Sequence, residues 1–396
     1  MNFDPPDSVK PLLARIQAFV TEHVIPAERE VFEHGFTASH AVLDELRARV
    51  RRDGMWGPQI PKELGGLGLG LVEHGLVSEQ LGKSPFGHYV FGCQAPDAGN
   101  LEILHKYGSP EQKTKWLEPL AKGELRSCFS MTEPENPGSN PTMLSCTARK
   151  DGDHYVIDGH KWFTSSADGA AFAIVMAVTN ADAAPHGRAS MIIVPTDSPG
   201  FERVRNIKIM GDAGDGWASH SEIRYTNVRV PVANRLGPEG AGFLIAQERL
   251  GPGRIHHCMR WIGVCERVFD TMCRHVVHRK IDGDKTLATR QIAQAWVAEA
   301  RAEIDASRLM VLHAAWTLEQ KGFQAARDQV SLIKFYVAGA MMKLIDRAIQ
   351  LHGALGISSD TVLAFYYVHE RGSRIYDGPD EVHKMVVAKR ILQRYE

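Results

Sequence analysis

A carboxylate-rich segment near the C-terminus has the residue types of a general-base site. In RIYDGPDEVHK (374–384), Asp377 precedes a Gly-Pro pair, and Asp380 follows that pair. A carboxylate held in a buried position can take a proton from a substrate carbon. The same segment also has the pattern of a polar turn before a final helix, with Asp380 as the N-cap. The residues alone leave both interpretations open.

Three further segments contain glycine, two of them together with hydroxyl or aromatic side chains, and each has two interpretations. CFSMTEPENPGSN (128–140) is either a turn-rich loop or a surface whose amides and hydroxyls bind a flat heterocycle. HKWFTSSADG (160–169) places Trp162 either in the core or stacked on such a ring. QLHGALG (350–356) either caps a helix or lets a phosphate or ring approach the backbone closely.

The segment RLGPGRIHHCMRW (249–261) is the basic candidate, with three arginines and two adjacent histidines near a Gly-Pro-Gly turn. It predicts the start of a helix, which is either an ordinary surface helix or an anion site at a helix N-terminus. A metal site built from His256 and His257 is not expected, because adjacent residues point apart on a helix.

Helical patterns in the first and last thirds of the chain must position these segments. Apolar residues recur at helical spacing over 8–33, where Pro26 is expected to break the pattern. Long helical patterns also cover 286–318 and 324–352, which indicates a helical bundle in the last third.

The middle of the chain has the pattern of a β-domain. Alternating segments there are separated by Asp151-Gly152 and Asp158-Gly159, and both dipeptides predict hairpin turns. Nothing alternates βαβ, and neither GxGxxG after a strand nor GxxxxGK[ST] is present, which disfavours Rossmann, TIM and P-loop folds. The order of elements predicts an α+β protein with domains over 1–124, 125–240 and 241–396.

Composition excludes several classes of protein. The 396 residues include 46 Lys+Arg against 47 Asp+Glu, so the chain lacks the overall basic charge of a nucleic-acid binder. No apolar run approaches the roughly 18 residues of a membrane span, and the N-terminus has neither a secretory signal nor an Arg-rich transit pattern. Six cysteines without a CxxC pair argue against disulfides and zinc, and favour a reducing compartment, the cytoplasm.

Taken together and in this order, these segments resemble the acyl-CoA dehydrogenase family of flavoproteins over nearly the whole chain. RLGPGRIHHCMR and the DGPDEVH ending are similar to one subgroup, which some animal proteins carry fused to an aminoglycoside-phosphotransferase-like kinase domain. The resemblance implies an N-terminal helical domain, a middle antiparallel β-barrel-like domain and a C-terminal four-helix bundle. It also implies that FAD binds without a covalent bond.

The resemblance assigns roles to individual residues. Asp377 is implied as the base, with Arg254 behind it, and Gly253 stands where a second lineage of the family carries its base. The residues implied to bind FAD are Phe129, Met131, Thr132, Ser139, Trp162, Thr164, Arg279, Gln350, Gly353, Gly356, Gly378 and Glu381. The residues implied to contact the substrate are Ser139, Arg254 and Gly378.

The implied reaction is α,β-dehydrogenation of an acyl-CoA to the trans-2-enoyl-CoA, as in fatty acid β-oxidation. Asp377 takes the α-proton while the β-hydride passes to the flavin. Hydrogen bonds from the Asp377 amide and a flavin ribityl hydroxyl stabilise the developing enolate. The implied partners are electron-transfer flavoprotein as electron acceptor and further copies of this chain, in a homodimer or homotetramer.

Three alternatives are kept open. One is a flavin oxidase of the same fold, similar to nitroalkane oxidases, and another is a scaffold that has lost its chemistry. A third is a dehydrogenase specific for 4-phosphooxyacyl-CoA, in which Arg254, His256, His257 and Arg260 hold the phosphate.

Overall fold

The computed structural model describes residues 4–396. The chain divides into two compact units. One unit contains the described residues up to Pro26 together with Gly70–His88 and Gly251–Glu396, and the other contains Ala27–Leu69 and Tyr89–Leu250. The helical first third of the sequence therefore contributes to both units.

The helices of the first third are short, and two π-helical turns, Val20–Val24 and Lys113–Leu117, lie among them. The α-helices are α1 (Lys10–Phe19), α2 (Ile25–His34), α3 (His40–Arg52), α4 (Leu71–Gly82), α5 (Gly87–Val90), α6 (Asp97–Tyr107), α7 (Pro110–Gln112) and α8 (Glu118–Ala121). The prediction that Pro26 breaks the helical pattern is wrong. The chain stays helical from Lys10 to His34, and Pro26 is the second residue of α2, directly after the π-helical turn Val20–Val24.

One eight-stranded sheet lies in the second unit, with the order β6-β7-β3-β2-β4-β5-β8 and with β1 beside β4. Its strands are β1 (Ser127–Ser130), β2 (Thr147–Asp151), β3 (His154–Ser165), β4 (Phe172–Val178), β5 (Ala189–Pro195), β6 (Phe201–Asn206), β7 (His220–Pro231) and β8 (Arg235–Leu236). Antiparallel pairs dominate, but β1 and β2 each pair with β4 in parallel. The predicted hairpin at Asp151-Gly152 is confirmed, because β2 and β3 pair antiparallel across it.

The second predicted hairpin, at Asp158-Gly159, is wrong. Strand β3 continues through both residues, and its register with β7 shifts between Ile157 and Gly159. A Cβ at Gly159 would lie 2.6 Å from the Cβ of Cys146. Glycine is needed here for close packing inside a bulged strand and not for a turn.

The last third forms a helical bundle, as predicted. It contains α9 (Gly242–His278), the strands β9 (Lys280–Asp282) and β10 (Lys285–Thr286), α10 (Gln291–His352), α11 (Val362–Glu370) and α12 (Asp380–Leu392). Helix α10 is broken at Gly322, whose φ and ψ are 76° and 173°. The apolar residues that recur after this break are buried in the bundle core, among them Val330, Ile333, Val337 and Met341. Within residues 4–396, no helix combines the length and apolar character needed to cross a bilayer.

Candidate functional site

The backbone at Asp377 has a left-handed conformation that its neighbours hold in place. The φ of Asp377 is 55° and that of Gly378 is 101°. This region costs a residue with a Cβ about 1–2 kcal/mol. The carbonyl oxygen of Asp377 accepts a hydrogen bond from Arg254 Nε at 3.1 Å and lies 3.2 Å from His383 Nε2. Two side chains from two different helices therefore fix the carbonyl of the residue that the sequence suggests as the base.

A buried lysine anchors the same segment on both sides of Asp377. The side chain of Lys334, on α10, is 1% exposed, and its Nζ donates to the carbonyl oxygens of Ser373 at 2.6 Å and Gly378 at 2.9 Å. Burial lowers the pKa of Lys334, and the nearby carboxylates of Asp377 and Asp380 oppose that shift. The cation is satisfied by backbone carbonyls, so its main effect is to hold residues 373–379, here called the Asp377 segment.

The prediction that Asp380 caps the final helix is wrong. Pro379 occupies the N-cap position of α12, and Asp380 is the first helical residue. Asp380 is 2% exposed, and its Oδ2 accepts a hydrogen bond from Arg374 Nε at 2.7 Å. An acid in the first turn is favoured by the helix dipole. Glu381 lies next to it and is exposed.

The carboxylate of Asp377 faces helix α9. Its Oδ2 lies 3.2 Å from His257 Nε2, and the two side chains are 22% and 24% exposed. The His257 ring is stacked on Trp261 at a centroid distance of 6.1 Å and lies 5.5 Å from the ring of Tyr376. Arg254, His257 and Trp261 are three and four residues apart, which places them on one face of the helix.

The two adjacent histidines of α9 contact different elements, as their helical spacing predicts. The ring of His256 meets His74 on α4 at 4.1 Å, whereas His257 meets the Asp377 segment. Burial lowers the pKa of His256 to about 3 and that of His257 to about 4. Both rings are therefore neutral at neutral pH.

A buried ion pair lies beside this site. Both terminal nitrogens of Arg260 donate to the Glu370 carboxylate, and Nη2 also donates to the Tyr376 hydroxyl at 3.1 Å. Burial alone would lower the pKa of Arg260, but Glu370 and Tyr376 outweigh it and raise that pKa. The Tyr376 hydroxyl also accepts from Trp261 Nε1, so the residue before Asp377 is fixed from α9.

Both interpretations of the segment 249–261 as the start of a helix are wrong. Helix α9 begins at Gly242 and continues through Pro252. No helix N-terminus is therefore available for an anion at the Gly-Pro-Gly sequence. Arg260 is already paired with Glu370, and His256 packs on His74. The four residues suggested for a phosphate thus do not form one shared site.

In the other unit, the loop after β1 is tied to β3. The Thr132 hydroxyl donates to the Trp162 carbonyl at 2.8 Å, and the Trp162 N–H donates to the Thr132 carbonyl at 3.0 Å. Lys161 Nζ donates to Glu133 Oε1 and to the Met131 carbonyl, both at 2.8 Å. Burial alone would raise the pKa of Glu133. Lys161 and the backbone N–H groups of Ser145 and Cys146 have the larger, opposite effect, so the pKa is lowered overall. This buried pair fixes the loop of residues 131–134 against strand β3.

The sequence-predicted residues of this loop differ in exposure. Phe129, Met131 and Trp162 are half-buried and together expose apolar and aromatic surface. Thr164 is fully buried, and its Oγ1 lies 3.3 Å from Ser130 Oγ. Its predicted contact with a flavin stays a prediction.

The remaining predicted residues lie on loops and at the end of α10. Ser139 and Arg279 are exposed. Gln350, exposed, lies in the last turn of α10, and Gly353 follows the helix with a φ of 62°. A Cβ at Gly356 would lie 2.6 Å from the carbonyl oxygen of Ile349, so only glycine fits there. The structure brings Gln350, Gly353 and Gly356 together, as their spacing predicts.

The chemistry of these residues fits a flavin nucleotide. The half-buried Trp162 and Met131 offer the apolar surface that a flat ring needs. Arg279 and Gln350 expose hydrogen-bond donors that suit phosphate or ribose oxygens. No group of three or more metal-ligating side chains occurs in the part of the chain from residue 4 onward.

Several residues around Asp377 were not predicted. Lys334 carries the clearest missed signal, because it lies between Ile333 and Val337 in an apolar stripe, where a charge requires a buried partner. Glu370 carries no comparable signal, because its partner Arg260 lies 110 positions away. His383 lies six positions after Asp377, but the sequence does not show that its ring approaches that carbonyl.

Three family models match the chain, and together they cover most of it. They are the N-terminal domain of acyl-CoA dehydrogenase over residues 7–124, the middle domain over 128–228 and the C-terminal domain over 240–392. A "probable acyl-CoA dehydrogenase FadE2" from Mycobacterium tuberculosis is 43% identical over 392 residues, which are 96% of this chain and 94% of that protein.

"Acyl-CoA dehydrogenase family member 11" from rat is 40% identical over 393 residues, 96% of this chain. The chain spans about half the length of this relative, 50%. Among solved structures, a putative acyl-CoA dehydrogenase from Mycobacterium abscessus has a TM-score of 0.95 and 40% identity, with 100% of both chains covered.

Proposed function

Because the chain belongs to the acyl-CoA dehydrogenase family, we propose that it oxidises an acyl-CoA thioester to the trans-2-enoyl-CoA with Asp377 as the base. The observation that carries this proposal is the clamped Asp377 segment. A partly exposed carboxylate lies beside a neutral imidazole, on a backbone held by Arg254 and Lys334. A general base needs this combination of access and fixed position.

The residues of the chain would divide the work as follows. Asp377 takes the proton from the α-carbon, and its backbone N–H donates to the thioester oxygen, where negative charge develops. Arg254 and Lys334 hold the Asp377 segment through its carbonyls. FAD, when bound, supplies the acceptor for the hydride that leaves the β-carbon. Members of the family are flavoproteins, and the residues that would hold the ring are Phe129, Met131, Thr132 and Trp162.

The ends of the cofactor would be held by exposed donors of the bundle. Arg279, Gln350 and Gly353 are exposed, which supports a site shared with a second copy of the chain, whereas Gly356 is buried behind them. Large exposed apolar side chains of the bundle support a homodimer or homotetramer, among them Val277, Ile292, Leu309, Trp316 and Ile357. Electron-transfer flavoprotein is the proposed acceptor of the electrons, on the basis of family membership.

The test is an anaerobic titration of the flavin-loaded protein with short, long, branched and 4-phosphooxy acyl-CoAs. Bleaching of the flavin absorbance by one of them is expected and would identify the acyl class. A yellow protein that no thioester bleaches, but that consumes oxygen with nitroalkanes, would replace the proposal with an oxidase. A protein that takes up no FAD would leave only a scaffold.

The role of Asp377 is tested by Asp377→Asn. The variant should still bind FAD, but substrate should reduce the flavin about 10²–10⁴-fold more slowly, the range that a general base contributes. Asp346→Asn, an exposed acid on α10, is the matched control. Reduction of Asp377→Asn at the control's rate would exclude Asp377 as the base.

A further inference from the structure

The acid at position 377 has a dedicated partner, and that partner is a histidine on a different helix. His257 Nε2 and Asp377 Oδ2 are 3.2 Å apart, although 120 positions separate the two residues in the sequence. Both side chains are mostly buried, so water does not compete freely for either group. A neutral imidazole carries one N–H, and an ionised carboxylate only accepts. A ring protonated on Nε2 can therefore donate to the Asp377 carboxylate across this distance.

The orientation of the His257 ring is fixed by packing. Trp261 stacks on it one turn further along α9, and Tyr376 covers it from the Asp377 segment. Tyr376 is itself held by hydrogen bonds from Trp261 and Arg260. The ring cannot swing away from the carboxylate without displacing two aromatic side chains.

The backbone contacts described above leave the Asp377 carboxylate itself free to rotate. Arg254, His383 and Lys334 all bind carbonyl oxygens of the segment and none of them binds the carboxylate. His257 is placed to limit this rotation. An aspartate has a single rotatable bond between its Cβ and carboxylate, so one donor on one oxygen orients the other oxygen.

We propose that His257 is a positioning residue that donates a hydrogen bond from Nε2 to one oxygen of Asp377 and thereby aims the other oxygen at the substrate α-carbon. This inference rests on the proposed role of Asp377 as the base. A loose carboxylate would lose the alignment on which proton abstraction depends, and an error of about 1 Å can slow a reaction about 100-fold.

The charged and titratable groups around His257 are consistent with a neutral donor. Burial lowers the pKa of the ring to about 4, and the cations nearby act in the same direction, whereas Asp377 and Glu370 oppose them. The ionisable groups that interact with His257 or Asp377 come from α5, α9, α10, α11, α12 and the Asp377 segment, and they are His88, Arg254, His256, Cys258, Arg260, Lys334, Glu370, Tyr376 and His383.

Two substitutions separate the hydrogen bond from the packing. His257→Phe keeps a ring between Trp261 and Tyr376 but removes the donor, and His257→Gln keeps an N–H at about the same reach but removes the ring. The flavin reduction rate at saturating acyl-CoA should fall about 10–100-fold in His257→Phe and stay within about threefold of wild type in His257→Gln. The substrate concentration for half-maximal rate should change little in either variant.

Rescue by glutamine distinguishes positioning from a loss of structure. Positioning predicts a slow His257→Phe variant beside a His257→Gln variant of nearly wild-type rate, because only glutamine restores a donor. Damage to the fold would lower the rates of both variants, since both lose the imidazole ring.

Each outcome decides between the two proposals. Wild-type protein that no acyl-CoA bleaches, or an Asp377→Asn variant that reacts like wild type, would remove the proposed function. A slow Asp377→Asn variant beside a His257→Phe variant with the wild-type rate would overturn only the role of His257. His257→Met, which has no ring and no N–H donor, provides the same comparison if the Phe variant does not retain FAD.

Discussion

The lysine that anchors the Asp377 segment offers a sharp test of how this segment is held. Lys334→Met keeps an unbranched side chain of similar length and removes the ammonium group from the bundle core. The carbonyl oxygens of Ser373 and Gly378 would then lose the hydrogen bonds that Lys334 Nζ donates to them. The segment should become mobile while the helices around it remain folded.

The magnitude follows from the two hydrogen bonds. A hydrogen bond to a charged group contributes about 1.5–3 kcal/mol, so two contribute about 3–6 kcal/mol. Burial lowers the pKa of Lys334, which shows that the interior disfavours its charge. Removing that charge recovers part of the loss, so the expected net destabilisation is about 2–4 kcal/mol. It is confined mainly to residues 373–379.

Hydrogen exchange measured by mass spectrometry is the assay, because it reports on the peptide that contains Asp377. Exchange in the peptides covering 373–379 should rise, and flavin reduction by acyl-CoA should slow by about 100-fold if Asp377 moves by about 1 Å. Lys343→Met on the same helix is the matched control, because Lys343 is half exposed and pairs with Glu303 at the surface. If Lys334→Met matches this control in both exchange and rate, the segment is held by other contacts.

Two further predictions concern buried ionisable groups. Glu133→Gln breaks a buried pair with Lys161 and should weaken FAD retention, since breaking such a pair costs about 3–5 kcal/mol; FAD release on heating measures this, with the exposed Glu135→Gln as control. The melting temperature should also fall from pH 7 to pH 5, because unfolded histidines bind protons near pH 6.5 whereas His256 and His257 have folded pKa values of about 3 and 4. The unfolded state then binds more protons than the folded state, so each ring lowers the free energy of unfolding by about 2 kcal/mol between pH 7 and pH 5. A melting temperature that does not change over this range would contradict the buried neutral state of both rings.

The order of elements was predictable because hydrophobic periodicity is a local property. The helical patterns of the first and last thirds and the Asp151-Gly152 turn reappear in the structure. Gln350, Gly353 and Gly356 lie together at the end of α10, because they are within seven residues of one another in the sequence.

The predictions that failed depended on tertiary packing. Asp158-Gly159 is a dipeptide typical of turns, but here the glycine allows the strand to pack closely against Cys146. The sequence Gly-Pro-Gly at 251–253 has the pattern of a helix start, yet α9 begins at Gly242 and continues through it. His257 lies 120 positions from Asp377, and Lys334 lies 39 and 44 positions from Ser373 and Gly378, whose carbonyls it binds. No local pattern connects residues so distant.

The break at Gly322 divides α10 into two helical segments. At Gly322 the backbone leaves the helical conformation, a Cβ there would meet no atom within 4 Å, and residues 319–325 are exposed. The junction is therefore largely exposed to solvent, and Glu319 contacts the bundle there by accepting a hydrogen bond from the Leu71 N–H. We therefore expect this junction to accept the new termini of a circularly permuted protein or the insertion of a reporter peptide.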